Sequence, residues 1–458
     1  MIFDRIADEE EERRFMIWAA TICRKGREKG IESLACALAD KHRPGHNKFG
    51  AIHWKYGAYN FMYKVRFDDD FHAIVRFSVL GRTTYRTEKA ENEAIALQYL
   101  REHTNVPVPR VLGWGICWLG AYIVEEFIEG NVIAEPLAEC YEKYDIRLNP
   151  RISDRDLKVA YRAMANIVLE MSKPTFNRIG CLVRAGEGFD IGRRPFSKRL
   201  NELSVSVNLA PEHITQSTFT SSAEYFDVLA EQHLSQLRFQ RNDAVKNKLD
   251  CKKKFVSRCL FRRIVRQVTA EYSNEPFRFF CDGFGPLNVL ADMKRLQVSS
   301  VIDLEFSYAA PAEFTYAAPW WLLLEIPEAW DKDLKDFLKR YTPKLRLFLS
   351  ALRECEVEQI KNGKLLESQR LSERMEQSMH NGLFWVCIAA RHSQLFDEVY
   401  WGFLDEKYFG PLVSLDDRVE LLNEEEKSEL VTLYDLKKEQ AKDKTIDIHY
   451  PWKDVLAL

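Results

Sequence analysis

The pattern of hydrophobic and polar positions predicts two β-strands in the first fifth of the chain. Phe61 to Phe67 and Ala73 to Val79 are rich in β-branched and aromatic residues, and three aspartates, Asp68 to Asp70, lie between them. Aspartate favours turns and is depleted from strands, so these three residues predict the connection. Apolar positions at helical spacing then predict a helix from Arg86 to His103.

The segment AYIVEEFIEG, which ends at Gly130, predicts the last strand of this group, and the pattern changes after it. Beyond it the spacing is mostly helical, with the clearest helices expected at Asp154–Ser172, Ser222–Arg241 and Lys253–Tyr272. The one expected exception is a hairpin within Val289 to Glu305. A β-rich part followed by a helical part predicts an α+β fold with two lobes and a cleft between them.

The domain boundaries follow from these changes of pattern. We expect a helical segment over 1–50, a small lobe over 51–128, a large helical lobe over 129–410 and a helical extension over 411–458. The charged stretch NEEEKSELVTLYDLKKEQAKDK within the extension predicts a solvated helix.

Composition narrows the classes of protein that this chain can represent. Of 458 residues, 46% are hydrophobic and 29% charged, which predicts a globular chain. Lys and Arg total 66 against 69 Asp and Glu, and a net charge of −3 argues against nucleic-acid binding. The apolar run from Ala317 to Leu324 is too short to span a membrane, so no membrane partner is expected. The ten cysteines form no Cys-x-x-Cys pair and are interpreted as reduced thiols of a cytoplasmic protein, whose oligomeric state stays open.

The first candidate for chemistry is the short segment Gly57-Ala58-Tyr59-Asn60, before the Phe61 strand. Glycine lets a backbone approach a phosphate closely, and successive N–H groups can hold its oxygens. A single glycine in such a place is more often only part of a turn.

The second candidate is a pair of opposite charges in the small lobe. Arg76 lies within a predicted strand and Glu93 within the helix that follows. A carboxylate on the helix could hold the cation against nucleotide phosphates. Taken alone, an exposed strand arginine and a surface glutamate are the simpler interpretation.

The third candidate is FRFFCDGFGPLNVLADMKRLQVSSVIDLEF, residues 277–306. Its two apolar runs predict a hairpin that places Asn288 before the first strand and Asp303 after the second. An amide oxygen and a carboxylate that converge in this way suit Mg²⁺, a cation that prefers oxygen ligands. Either residue alone would be interpreted as a turn cap.

Together these segments resemble the aminoglycoside phosphotransferase and choline kinase-like family, which is similar to protein kinases. The resemblance is carried by GAYNFMYKVRF, YIVEEFIEG, CDGFGPLNVLAD and VIDLEFSYAAPAEFTYAAPWWLLLE, and it covers roughly residues 5–410. It is strongest to the fungal branch of the phosphotransferase enzyme family. The resemblance implies a bilobal protein kinase-like fold with ATP and Mg²⁺ as cofactors.

The resemblance also implies roles for individual residues. Gly57 to Asn60 would cover the phosphates, and the backbone of Glu126 to Ile128 would contact adenine. Arg76 stands where kinases use a phosphate-pairing lysine, with Glu93 as its partner on the helix. Asn288 and Asp303 would bind Mg²⁺.

One position departs from the family pattern. A His-x-Asp triplet is expected to end five residues before the metal-binding asparagine, and its Asp would orient or deprotonate the acceptor hydroxyl. Here the triplet is Cys281-Asp282-Gly283, and Gly283 has no side chain to serve. Either Asp282 takes the catalytic role through a turn of the backbone, or the acid-base function is weakened or lost.

These observations lead to a phosphotransferase that acts on a small hydroxyl-bearing molecule. The main alternative is a pseudokinase, a nucleotide-binding or scaffold protein with little or no turnover. A third hypothesis, an interaction module built around Trp320 and Trp321, has less support because tryptophans beside a metal-binding loop more often belong to the core.

Overall fold

A computed structural model of the chain describes residues 2–142, 145–292, 297–330 and 333–452. Within these residues the α-helices are α1 Arg5–Lys29, α2 Ile31–His42, α3 Arg86–His103, α4 Ala134–Leu137, α5 Asp154–Ser172, α6 Lys198–Val205, α7 Ser222–Phe239, α8 Lys248–Ala270, α9 Ala312–Tyr316, α10 Leu334–Lys361, α11 Ser372–Asn381, α12 Leu383–Arg391, α13 Phe396–Val399, α14 Asp405–Phe409, α15 Leu415–Val419 and α16 Glu424–Gln440. A π-helical turn over Tyr400–Leu404 joins α13 to α14.

The strands are shorter and mostly antiparallel to their neighbours. They are β1 Lys48–Tyr56, β2 Asn60–Phe67, β3 His72–Ser78, β4 Val111–Cys117, β5 Gly120–Glu126, β6 Asn131–Val132, β7 Ala138–Glu142, β8 Asp145–Leu148, β9 Thr175–Phe176, β10 Cys181–Ala185, β11 Gly188–Arg193, β12 Phe277–Cys281, β13 Val289–Asp292, β14 Gln297–Val301 and β15 Ser307–Ala310.

The small lobe is a five-stranded antiparallel sheet in the order β1-β2-β3-β5-β4, with α3 packed against β4 and β5. The two predicted strands and the predicted helix are observed as β2, β3 and α3, and Asp68 to Asp70 lie between the strands. Because β3 has a neighbour on each side, its residues are almost all buried and occupy fixed positions in the middle of the sheet.

The large lobe contains the predicted long helices as α5, α7 and α8, together with more β-structure than the pattern predicts. The expectation that a single hairpin interrupts the helices is wrong: the hairpin β10–β11, the pair β7–β8 and the sheet β15-β12-β9 also lie there. These strands are two to six residues long, so they contain too few alternating positions to show a β pattern. The predicted α+β class with two lobes is confirmed by the helices and sheets described above.

The first helix contacts both lobes. Asp4 N–H, just before α1, donates to Ser206 O in the large lobe at 3.0 Å, and Trp18 Nε1 donates to Leu119 O in the small lobe at 3.2 Å. Gly81 adopts a φ of 81°, and a Cβ at this position would lie 2.4 Å from Glu11 O. A residue without a side chain is therefore needed for α1 to lie this close to the small lobe.

The C-terminal helix α16 packs on α8 of the large lobe. It is largely exposed, as predicted, but buries Leu433 and Lys437. Within the described residues, no helix is both long and apolar enough to cross a membrane. The cysteines whose side chains the structure describes, a set that leaves out Cys140, are free thiols.

Candidate functional site

Arg76 lies in the cleft between the two lobes. From β3, its guanidinium donates to Glu93 Oε1 on α3 at 2.6 Å and to Asp303 Oδ1 in the large lobe at 2.9 Å. Glu125 Oε1 on β5 lies 3.5 Å from the same guanidinium. The pair of Arg76 and Glu93 expected from the sequence is therefore formed, and it extends across the cleft to Asp303.

Asp303 reaches the cleft because the β13–β14 hairpin forms as predicted. Val289 pairs with Val301, and Ile302 N–H donates to Asn288 O at 2.8 Å, so Asn288 and Asp303 lie next to each other at the ends of the two strands. Asp303 adopts a left-handed φ of 61°, which is uncommon for a residue with a side chain and recurs at ligand-binding sites.

A second set of contacts connects the glycine-containing loop to the large lobe. Gly57 N–H donates to Asn60 O at 2.8 Å, which makes the turn between β1 and β2 a tight one. Asn60 Nδ2 donates to Glu305 Oε2 at 2.9 Å, and Lys89 Nζ on α3 lies 2.5 Å from the same oxygen. The Tyr59 ring packs edge-to-face on Phe306 with 5.2 Å between centroids. The loop thus lies closed over the cleft.

We call the six charged residues that these contacts join the cleft cluster: Arg76, Lys89, Glu93, Glu125, Asp303 and Glu305. Four carboxylates face two cations, which leaves an excess of two negative charges if all are ionised. Although part of the Asp303 side chain is exposed, the protein around its carboxyl group and repulsion from Glu305 raise its pKa to about 7, against the attraction of Arg76. Burial would lower the pKa of Arg76, but Glu93 and Glu125 outweigh it and raise that pKa.

Asp303 of the cleft cluster and the neighbouring Asn288 have side chains that suit Mg²⁺. A carboxylate and an amide oxygen are suitable ligands, and the excess of negative charge is what a divalent cation would neutralise. The Asp303 side chain is 44% exposed toward the cleft and therefore accessible to a ligand. Asn288 Oδ1 already accepts from Gly285 N–H at 3.1 Å, so only one of its lone pairs is free for a metal. The donor set fits the cation.

The predicted adenine-contacting segment directly follows β5. Glu126 N–H donates to Arg110 O at 2.9 Å and Phe127 N–H donates to His72 O at 3.0 Å. Two of the three amides in this segment are therefore used within the small lobe. A role of Glu126 to Ile128 in base binding stays a prediction.

The two residues at the departure from the family pattern have different surroundings. Asp282 is buried, where its carboxylate accepts from Lys198 N–H at 2.9 Å and lies 3.6 Å from Arg391 Nη1. Tyr308 also donates to it at 3.4 Å. At Gly283 no described atom lies within 4 Å of the place that a Cβ would take. The contacts of Asp282 thus face the large lobe, whereas a side chain at 283 would enter open space.

Asp282 belongs to a second group of charges, which we call the large-lobe cluster: Lys198, Arg199, Glu202, Asp282, Glu328 and Arg391. Lys198 Nζ lies 3.8 Å from Glu328 and 3.9 Å from Glu202, and Arg199 Nη1 lies 3.7 Å from Glu202. Burial raises the pKa of Glu202 to about 7, against the attraction of Lys198. Next to the cluster, His392 Nδ1 lies 2.8 Å from Glu328 Oε1, and burial lowers the pKa of this imidazole.

Sequence reasoning missed three members of the cleft cluster. Lys89 lies four residues before Glu93, and helical spacing would have placed both on one face of α3. Glu305 follows Asp303 by two residues. Glu125 is buried in the middle of the cleft because β5 pairs with β3, and no pattern in the sequence indicates that pairing.

Comparisons with known proteins assign no family to the chain. No family model matches, and no curated protein matches. The similar solved structures include a fructosamine-3-kinase candidate from Thermobifida fusca (15% identity over 80% of this chain and 96% of that one, TM-score 0.40), a macrolide 2′-phosphotransferase from Brachybacterium faecium (13%, 83% and 99%, 0.37) and an aminoglycoside phosphotransferase from Alicyclobacillus acidocaldarius (12%, 81% and 93%, 0.34). The expected fungal branch stays a prediction.

Proposed function

We propose that this chain is a phosphotransferase that binds ATP and Mg²⁺ between its lobes and phosphorylates a small hydroxyl-bearing molecule. The observation that carries this proposal is the position of Arg76, held at one end by Glu93 and in contact at the other with Asp303. Phosphoryl transfer depends on positioning and on charge stabilisation, which require a fixed cation for the phosphates and a carboxylate for the metal.

Asn288 and Asp303 are the residues that would hold the metal. A bound Mg²⁺ neutralises the charge of the phosphates. Arg76 is free to contact a phosphate oxygen when it releases Asp303, while Glu93 keeps the guanidinium in place. Glu125 adds a second carboxylate on the same side, so Arg76 stays fixed in the sheet after that release.

The loop from Gly57 to Asn60 would cover the phosphates, and Glu126 to Ile128 would lie against adenine. In the closed arrangement Asn60 is bonded to Glu305 and Lys89, so nucleotide entry requires that these contacts open. Of the contacts described for this loop, the bond to Glu305 and the packing of Tyr59 on Phe306 reach the large lobe, whereas Lys89 lies on α3 of the small lobe. Opening the loop therefore requires that both contacts with the large lobe are broken.

A second candidate function is nucleotide binding with little turnover. It is favoured by the contacts of Asp282 with Lys198, Tyr308 and Arg391, which leave no carboxylate for the acceptor at position 283. Loss of a positioned base slows phosphoryl transfer without necessarily abolishing it, because positioning and electrostatics supply most of the catalysis.

Thermal denaturation with ATP, with and without Mg²⁺, tests nucleotide binding. A ligand at 100 times its dissociation constant stabilises the folded state by about 2.7 kcal/mol, and we expect such a gain with ATP and Mg²⁺. Arg76→Gln should remove it, whereas Arg66→Gln, a matched arginine on the neighbouring strand that pairs with Asp70 at the surface, should keep it. No stabilisation of the wild type at millimolar ATP and Mg²⁺ would refute the proposed function.

Turnover of ATP by Gly283→Asp separates the two candidate functions. The new carboxylate would have open space before it, at the position where the resemblance to the phosphotransferase family expects the residue that accepts the proton. If the wild type is nearly inactive for lack of this group, turnover should rise by about 10²-fold, the lower end of what a positioned base contributes. If Asp282 already acts as the base, Gly283→Asp adds nothing and Asp282→Asn removes the existing turnover.

A further inference from the structure

The helix α3 uses two different faces for two sets of charged contacts. One face carries Lys89 and Glu93, which belong to the cleft cluster. Helical spacing gathers a second polar set on another face: Glu88, Glu91, Gln98 and Glu102. This second face meets arginines of the large lobe, which come from the hairpin β10–β11 and from the residue after it.

The most shielded of these contacts is made by Arg194, which directly follows β11. Its Nε and Nη2 donate to the two carboxylate oxygens of Glu88 at 2.9 and 2.6 Å, and the two side chains are only 8% and 21% exposed. Its Nη1 donates to Thr215 O, within the large lobe, at 3.3 Å. The guanidinium also lies 4.3 Å from the ring centroid of Tyr85, the residue before α3. A bidentate pair fixes the orientation of both partners, so the first turn of α3 is tied to the large lobe.

Two further arginines extend this contact along the helix. Arg193 Nη1 lies 2.8 Å from Glu91 Oε2. Arg184 Nη2 donates to Glu102 Oε1 at 2.6 Å, and its Nε donates to Gln98 Oε1 at 3.1 Å. Both ion pairs are more exposed than that of Arg194, so each contributes less. We call the three large-lobe residues the arginine clamp: Arg184, Arg193 and Arg194.

Toward the sheet of the small lobe, α3 presents small side chains. Ala90 and Ala94 form a separate buried cluster with Ala121 and Ile123 of β5. An alanine side chain buries little apolar surface, so this cluster gains little free energy from fixing the helix on the sheet. The position of α3 therefore depends on the arginine clamp as well as on its own lobe.

We propose that Arg194, assisted by the rest of the arginine clamp, is a positioning residue that holds α3 where the cleft cluster needs it, a role that rests on the proposed function. Arg194 acts through the helix. Glu93 on α3 accepts from Arg76 at 2.6 Å, and Lys89 Nζ donates to Asn60 Oδ1 at 3.2 Å. A displacement of α3 would move both the partner of the proposed phosphate-binding arginine and the partner of the loop that would cover the phosphates.

The arginine clamp matters because the cleft cluster is assembled from both lobes. Asp303 and Glu305 come from the large lobe, and Lys89 reaches Glu305 from α3. A helix that is tied to the large lobe keeps its charged side chains at a fixed distance from those two acids.

Hydrogen exchange of the α3 amides without nucleotide tests the clamp, and calorimetric titration with ATP and Mg²⁺ tests the positioning. In Arg194→Gln we expect the α3 amides to exchange about tenfold faster and the ATP affinity to fall about threefold to tenfold. Glu88→Gln should have the same effects, and the double variant should be no weaker than either single one, because both substitutions remove one contact. The control, Arg353→Gln, removes a surface pair with Glu376 and should change neither quantity.

A second cycle separates positioning from a merely structural role. Glu93→Gln removes the partner of Arg76 on α3 and should weaken ATP binding in the wild type. If α3 is already displaced in Arg194→Gln, the same substitution should weaken binding there by a factor at least about twofold smaller. Independent, multiplicative losses are expected if Arg194 only stabilises the fold.

Three results would overturn the proposal: unchanged exchange of the α3 amides in Arg194→Gln, faster exchange with unchanged ATP affinity, or multiplicative losses for Arg194→Gln and Glu93→Gln. The first shows that no clamp holds the helix, and the other two reduce it to a structural contact. Absence of ATP binding by the wild type is the distinct result that refutes the proposed function, and the positioning role fails with it. Normal ATP binding by all variants refutes the positioning role alone.

Discussion

The cleft cluster and the large-lobe cluster contain six charged residues each, but they differ in the balance of those charges. The large-lobe cluster has three residues of each sign; Arg199, Asp282 and Arg391 are buried, and the other three are partly buried beside them. The cleft cluster has four acids and two bases, and one of the acids, Asp303, is accessible from the cleft. A balanced group of buried charges is complete without a ligand, whereas an unbalanced one leaves charge for a ligand to neutralise.

The two clusters should therefore respond differently to substitution. In the large-lobe cluster, loss of a charge should affect folding. In the cleft cluster, it should affect nucleotide binding.

Asp282→Ala is expected to lower the free energy of unfolding by about 3–5 kcal/mol, the range found when one partner of a buried ion pair is removed. The substitution leaves Arg391 without its carboxylate and the first N–H of α6 without an acceptor. Urea denaturation measures the change. Glu354→Ala, which removes a surface partner of Lys158, is the control and should cost less than about 1 kcal/mol.

A loss below about 1 kcal/mol for Asp282→Ala would show that this carboxylate is not structural and would reopen its catalytic role.

Glu202 predicts a pH dependence of stability. Its pKa is about 7 in the folded protein against an ordinary 4.5, so the folded state binds a proton more readily than the unfolded state between these values. The contribution of protonated Glu202 to the free energy of unfolding is fully present below pH 4.5 and is lost as the pH rises to 7. Between pH 5 and pH 7 the wild type should lose about 2 kcal/mol relative to Glu202→Gln, whose amide does not titrate.

Urea denaturation of both proteins over this pH range gives the difference directly. Parallel pH profiles for wild type and Glu202→Gln would contradict the raised pKa of Glu202.

Asp303→Asn is expected to weaken binding of ATP with Mg²⁺ at least tenfold, or about 1.4 kcal/mol, because it removes a full charge from the proposed metal ligand. Calorimetric titration measures the affinity. The free energy of unfolding should change less than the affinity does, since the lost carboxylate is repelled by Glu305 in the folded state. Equal affinity in wild type and variant would exclude Asp303 as a metal ligand.

A double-mutant cycle of Arg76→Ala and Glu93→Ala on ATP binding should give a coupling energy of about 1 kcal/mol, within the range for residues of one network. The matched cycle uses Arg162 and Glu358, a surface pair of the large lobe with N–O distance 3.1 Å, and should give none. Strict additivity for Arg76 and Glu93 would mean that their contact does not position the guanidinium for the nucleotide.

Much of the site follows from local pattern. Two short apolar runs separated by a polar turn predict the β13–β14 hairpin, and a hairpin brings its two ends together whatever surrounds it. The hairpin pattern therefore predicts that Asn288 and Asp303 lie side by side. The small-lobe strands β2 and β3 and the helix α3 are long enough to show their periodicity, and so they were also predicted.

The direction of a single side chain could not be predicted. Asp282 and Gly283 are neighbours, and sequence spacing alone left both hypotheses for the base open. The outcome depends on the long-range contacts of Asp282 with Arg391 and Lys198, which are separated from it by about a hundred residues of chain. The strands β10 and β11 escape prediction because they are short and contain too few alternating positions to show a β pattern before they pair with each other.

The first helix, α1, which contacts both lobes, is expected to affect the rate at which nucleotides enter and leave the cleft. It is bonded to the large lobe through Asp4 and to the small lobe through Trp18, so it acts as a brace that restrains the lobes from swinging apart. Opening of the loop from Gly57 to Asn60 is a route into the cleft that requires no movement of the lobes. Loop motions take nanoseconds to microseconds, whereas hinge motions of domains take microseconds to milliseconds. Nucleotide exchange in this protein is therefore expected to be timed by a small local movement and to quicken when Asn60 loses its contact with Glu305.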